Sequence, residues 1–334
     1  MKRLFPLALA LLALAASASA ETLLNGSGAS FPQPLYQRWF EKYSQVDATV
    51  RFHYIGLGSA GGRKMILGGI TDFGASDTPI PAAAQTQAGC TIWHLPSAAS
   101  AVAICHNLKG FPDIQLDGPT LAAIFLGRIV RWNDPVLAAH NPGVKLPDRP
   151  IVVIHPLEHG TLSDYFTAYL SAVSPEWQAK YTGGGAIAWP AGPGANGNMG
   201  VAKLLRETPD AIAFLELSVA DRANVRLIAL RNAAGHYVRP DLDTVAAAAA
   251  SASATDDSAL SLINAPGAKA YPIGIVTWLL VNPHFKSPLK ERKLAAFLKW
   301  AYTEGEALAP SVGLVPMPEV VRQRVLARLG SLKG

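Results

Sequence analysis

One carboxylate, Asp77, stands just past an apolar run, at the end of the stretch GLGSAGGRKMILGGITDFGASD that begins at Gly56. The glycine-rich turn lets bare backbone N–H groups come close to a ligand, because glycine has no Cβ and tolerates positive φ. A helix opening at Ser59 aims its positive dipole end and unpaired N–H groups at the same point, which suits an anion. A carboxylate beside an anion site makes chemical sense where the anion carries a proton to donate to it. The combination suggests a protonated oxyanion as ligand. Taken alone, the same pattern also describes an ordinary turn into a helix, with Ser59 as a cap and Asp77 as a turn residue.

A second candidate constellation is the run His155-Pro156-Leu157-Glu158-His159-Gly160-Thr161. It contains H-x-x-E-H, which on a helix is a zinc-hydrolase signature. Pro156 and Gly160 argue for a loop instead, in which the two histidines are not held one turn apart. A metal-dependent hydrolase using His155, Glu158 and His159 is therefore the secondary reading. Cys90 and Cys105 flank an expected hairpin at Pro96-Ser97-Ala98. In an oxidising compartment the pair is expected to form a disulfide, the alternative being two buried thiols packed as small hydrophobes.

The elements that must position these groups alternate in type. Thr22–Leu24, Thr49–Tyr54, Ile70–Ala75, Thr91–Leu95, Ala101–His106, Ile151–Ile154, Ala211–Leu217 and Ile273–Asn282 read as strands. Between them lie helical periodicities, among them one carrying Leu35, Tyr36, Trp39, Phe40 and Tyr43 on one face and one from Thr161 to Leu170. Strands alternating with helices predict α/β layers with mostly parallel sheet. Gly183–Gly200 reads as a long glycine-rich shaped loop, and Val245–Ala254 as an alanine-rich helix.

Composition narrows the setting. Lys2 and Arg3, the apolar run Leu4–Ala16 and Ala18-Ser19-Ala20 read as an export signal over residues 1–20, cleaved after Ala20. The apolar run is short for a membrane span, so the mature protein is expected to be soluble and periplasmic. The 334-residue chain is half apolar and carries a formal charge of +5, which falls to +3 without Lys2 and Arg3. With no basic cluster, that charge argues against a nucleic-acid partner.

With GSGASFPQPLYQRWF, GLGSAGG and DFGASDTPI in view together, the chain resembles the periplasmic phosphate-binding proteins (PstS) of phosphate ABC transporters. The likeness continues through IFLGRIVRWNDP, HNPGVKLP, AWPAGPGANGNMG, DAIAFLELS and YPIGIVTWLLVNP. It implies a type II periplasmic-binding fold of two α/β lobes around a ligand cleft. Residues 21–96 plus 273–334 would form a discontinuous first lobe and 97–272 the second. It also implies an oxyanion as ligand, an ABC permease as partner, a monomer, and neither cofactor nor resident metal. Carried over by position, the family's phosphate contacts fall on Ser30 and the backbone of Phe31, on Ser59, on Asp77, and on Gly160 and Thr161. Hydroxyls and N–H groups at helix N-termini donate to the anion, whereas Asp77 accepts its proton and repels sulfate.

The resemblance departs in the 155–161 loop. Where the family has an arginine, an orienting aspartate and a serine, this chain has His155, Leu157 and His159. A bidentate cation gives way to imidazoles, whose charge depends on their surroundings. Two readings stay open here. His155 and His159 join a site retuned toward lower pH or toward a phosphonate, phosphite or arsenate, or they are tolerated in a site that still takes phosphate. A third class of function, an extracellular scaffold or sensor whose ligand site has drifted, would leave Asp77 without a role.

Overall fold

The computed structural model describes residues 21–181, 187–252 and 259–332. The expected export segment, the start of the glycine-rich loop and the end of the alanine-rich helix lie outside the described residues. The chain opens with β1 (Thr22–Gly28), α1 (Gln33–Val46), β2 (Val50–Gly56), α2 (Gly58–Leu67), β3 (Phe73–Ser76), α3 (Ala82–Ala88) and β4 (Trp93–His106). It continues through β5 (Gln115–Leu116), α4 (Gly118–Phe125), α5 (Pro135–His140), β6 (Val152–Pro156), α6 (Thr161–Val173) and α7 (Pro175–Lys180). Next come β7 (Gly194–Ala195), α8 (Gly197–Glu207), β8 (Ala211–Glu216), α9 (Leu217–Ala223), β9 (Arg226–Leu227), β10 (Ala229–Arg231) and β11 (Tyr237–Val238). It closes with α10 (Leu242–Ser251), β12 (Gly274–Val281), α11 (Pro288–Ala301), a 3₁₀ helix (Gly305–Val312) and α12 (Glu319–Leu329).

The main sheet runs β2-β1-β3-β12-β4-β8-β6-β7, with β9 also on β4, and β5, β10 and β11 form a small second sheet. At one end β2, β1 and β3 are parallel, and at the other β8, β6 and β7 are parallel. Two long apolar strands lie in the middle, β12 antiparallel to β3 and β4 antiparallel to both β12 and β8. β4 pairs with β12 from Trp93 to Ala101 and then with β8 from Val102 to His106, so one continuous strand belongs to both halves. Each half has its own apolar cluster. Trp39, Phe73, Phe297 and Leu298 lie in the first, and Phe125, Phe166, Trp177 and Phe214 in the second. The result is a two-lobed α/β fold: the alternation of elements predicts the α/β layers, and the family resemblance the two lobes.

The expected hairpin at Pro96-Ser97-Ala98 is not a hairpin. Pro96 lies opposite Trp278 and Ala98 opposite Thr277, which leaves Ser97 as an extra residue at a bulge in β4. A proline without a donor is accommodated where the ladder is already interrupted. The disulfide goes with the hairpin. Cys90 and Cys105 are both free, one half-buried before β4 and the other buried near its far end. At about 3.3 Å per strand residue, the part of β4 from Trp93 to Cys105 that lies between them spans up to roughly 40 Å.

Candidate functional site

The site is built first by how closely α2 lies on β1 and β3. A Cβ at Gly62 would fall 2.4 Å from the Ala75 carbonyl oxygen and 2.5 Å from the Gly28 Cα, so only glycine allows this approach. Gly62 thereby lowers the first turns of α2 onto the end of β3. Ser59 and Arg63, four residues apart on one helix face, then stand over Ser76, Asp77 and Thr78.

Ser59 is the hub. Its Oγ accepts from the Asp77 N–H at 2.9 Å and donates to Asp77 Oδ2 at 3.1 Å. With that proton committed, the Thr161 hydroxyl, 3.3 Å away, donates to Ser59 in turn. Thr161 opens α6 in the second lobe behind Gly160, which occupies the N-cap position in an extended conformation. One turn on, the Tyr165 hydroxyl shares its one proton between the Asp77 carbonyl at 2.9 Å and the Val276 carbonyl at 3.1 Å. A single face of α6 thus joins the second lobe to the end of β3 and to β12.

Asp77 is 3% exposed, and burial pushes its carboxyl up to about 6. Thr277, Ser59 and Thr161 hydroxyls and the Arg63 charge pull it partly back. Thr277 counts first among these by proximity, although its Oγ1 makes no hydrogen bond of proper geometry among the described residues. Asp77 Oδ1 is likewise buried without a partner among them. An acceptor left in this condition costs about 1–3 kcal/mol or more, unless a donor arrives to meet it.

Ser59, Asp77 and Thr161 are therefore brought together, from two lobes. Ser30 and Phe31 lie in the turn between β1 and α1 and line a cleft of about 610 Å³, together with Asn198, Arg222 and Gly313. Ser59, Asp77 and Thr161 do not line that cleft. His155 is turned aside. Its ring stacks on Trp189 at 5.2 Å, with Nδ1 2.9 Å from the Pro156 carbonyl and Nε2 3.2 Å from that of Gly192. His159 Nε2 lies 3.2 Å from Asp164 Oδ1, and Glu158 accepts from the Gly197 N–H. The three side chains of the H-x-x-E-H run thus face three different partners and do not converge.

Sequence reasoning missed Arg63, Thr78, Thr277 and the working role of Tyr165. The helical spacing Ser59–Arg63 and Thr161–Tyr165 was the available signal for two of them. Thr277 comes from the far end of the chain and carries no local mark.

The fold and this site define a two-lobed binding protein. A sequence model of the PBP superfamily domain matches residues 15–304. The phosphate-binding protein PstS of Xylella fastidiosa (strain 9a5c) is 36% identical over 299 residues, covering 88% of this chain and 81% of that one. PstS of Pasteurella multocida (strain Pm70) is 33% identical over 331 residues, covering 98% and 95%. The crystal structure of an ABC-type phosphate transport receptor from Vibrio cholerae shares the fold, with a TM-score of 0.61 at 18% identity, over 89% of this chain and 100% of that one. The chain belongs to the PBP superfamily and, within it, to the PstS family of phosphate-binding proteins.

Proposed function

We propose that this protein captures inorganic phosphate, or a closely related protonated oxyanion, between its lobes and delivers it to an ABC permease without catalysing a reaction. The observation that carries this reading is Asp77: a buried carboxylate at the junction of the lobes with one oxygen unpartnered, ringed by hydroxyls that donate. A protonated oxyanion supplies the missing donor to Asp77, and the Ser59 and Thr161 hydroxyls, which without ligand donate to Asp77 and to Ser59, turn their protons to the anion. Ser30, the Phe31 backbone and the Gly160 N–H complete the proposed contact set, which joins both lobes. Closure over the ligand follows, because an anion bonded by both lobes favours the state in which they meet.

We place the protein in the periplasm as a monomer, with residues 1–20 removed. We place the lobe division at 96/97 and 272/273; the passage of the continuous strand β4 from β12 to β8 after Ala101 supports a hinge beside these strands. Isothermal calorimetry with phosphate, arsenate, methylphosphonate and sulfate from pH 5 to 8 tests the reading. Saturable one-to-one binding of phosphate, and none of sulfate at pH 7.5, is expected. Absence of phosphate binding across that range would overturn it.

A further inference from the structure

An oxyanion seated beside a carboxylate gains from a positive charge, and the 155–161 loop does not supply one at Asp77. His155 lies flat on Trp189 with both ring nitrogens against carbonyl oxygens, and His159 faces Asp164. The cation that does stand there is on the other lobe. Arg63 is half-buried on α2, one turn from Ser59, and its Nη1 donates to Ser76 Oγ at 3.2 Å and to the Thr78 hydroxyl. Its charge favours the ionised forms of both Asp77 and Asp164, yet it forms no ion pair of its own among the described residues.

A guanidinium has five N–H donors in a planar fork, and among the described residues only Nη1 is engaged. The Ser76 and Thr78 hydroxyls hold that edge, which fixes the plane of the group and leaves its other donors unspent. An arginine so anchored, with two carboxylates in range and none bonded to it, is a prearranged anion contact.

We propose that Arg63 is the cationic ligand of the oxyanion site, doing from the first lobe what a second-lobe cation at position 155 cannot do here. The inference rests on the phosphate reading above. It makes the positive charge of the site a property of α2, which also provides Ser59. It also explains why His155 is free to serve as a stacking partner of Trp189.

Calorimetry with inorganic phosphate at pH 7.5 on wild type, Arg63→Gln and Arg63→Lys tests it. The glutamine variant is expected to lose about ten- to a hundredfold in affinity, the scale of one charged hydrogen-bonding contact, and the lysine variant less. The salt dependence of binding should flatten in Arg63→Gln. A purely structural role would lower the ligand-free melting temperature and leave affinity and salt dependence alone. Should the glutamine variant not fold, phenylglyoxal labelling of Arg63 in the wild type, read by peptide mass, decides the matter: saturating phosphate should slow it. Wild-type affinity in Arg63→Gln, or labelling indifferent to phosphate, would overturn the role of Arg63 and leave the phosphate reading standing. A wild type that binds no phosphate would overturn both.

Discussion

The Thr161 hydroxyl of the second lobe lies 3.3 Å from the Ser59 hydroxyl of the first, across 102 residues of sequence. This contact joins the N-termini of two helices, α2 and α6, over one buried carboxylate. Both helices present their positive ends there, which lowers the cost of gathering negative charge between them. Whatever binds Asp77 is therefore read by both lobes at once.

Thr161→Val keeps the shape of the side chain and removes its hydroxyl. Phosphate affinity is expected to fall by about 1.5–3 kcal/mol, the range for a hydrogen bond to a charged group. Ligand-free stability should change by less, because the Ser59–Asp77 bonds stay in place. Calorimetry and thermal melting measure the two effects separately. An unchanged dissociation constant would remove Thr161 from the site.

Burial raises Asp77 from 3.8 in the unfolded chain to about 6 in the folded one. The folded state therefore holds this proton more tightly. The stability it contributes is complete below about pH 4 and is lost as pH rises through 6. The loss amounts to about 3 kcal/mol for two pKa units. In phosphate-free buffer, Asp77→Asn should melt above the wild type at pH 7.5, and the difference should vanish near pH 4. A constant difference across that range would contradict the assignment.

The same proton sets selectivity. Above pH 6 the Asp77 carboxylate only accepts, so sulfate, which has nothing to donate, is repelled. Below pH 6 the protonated carboxyl becomes a donor and sulfate is tolerated. Competition calorimetry should show the preference for phosphate over sulfate shrinking about tenfold per pH unit below 6. A preference independent of pH between 4.5 and 7.5 would exclude Asp77 as the discriminator.

How much of this was legible follows from where the information lies. Ser59 and Asp77 were marked by local turn and helix-start chemistry and Thr161 by the family resemblance, and the structure brings the three together. The hairpin was misread because Pro96 looks like a turn residue, and only the partner strand shows that it sits at a bulge. The disulfide failed for the same reason, since a straight strand and a hairpin place Cys90 and Cys105 very differently. His155, at the position of the family's arginine, was left open between a ligand and a tolerated replacement. Its orientation is set by Trp189, 34 residues away, which no local pattern reveals.

The thiols give a direct check on the long strand. Burial pushes the Cys105 thiol far up, whereas Cys90 is half-exposed. Without reductant, native protein should react with a thiol reagent at one site and denatured protein at two. Peptide mapping should place the fast label on Cys90. A single denatured-state count of zero would mean that the cysteines are bonded after all.

Gly62 carries the geometry of the site through backbone contact alone. In Gly62→Ala the new methyl meets the Ala75 carbonyl and the Gly28 Cα, neither of which is the end of a flexible side chain. The helix must lift, at about 1–3 kcal/mol or somewhat more, and Ser59 and Arg63 lift with it. Phosphate affinity should fall further than the loss of stability alone explains. Gly160→Ala is the contrast, because its Cβ meets nothing within 4 Å and its φ of −171° is ordinary extended backbone. That variant should fold with a loss of no more than about 1 kcal/mol at the N-cap. Equal stability and equal phosphate affinity in Gly62→Ala would mean that α2 does not need its close seat on β1 and β3 to build the site.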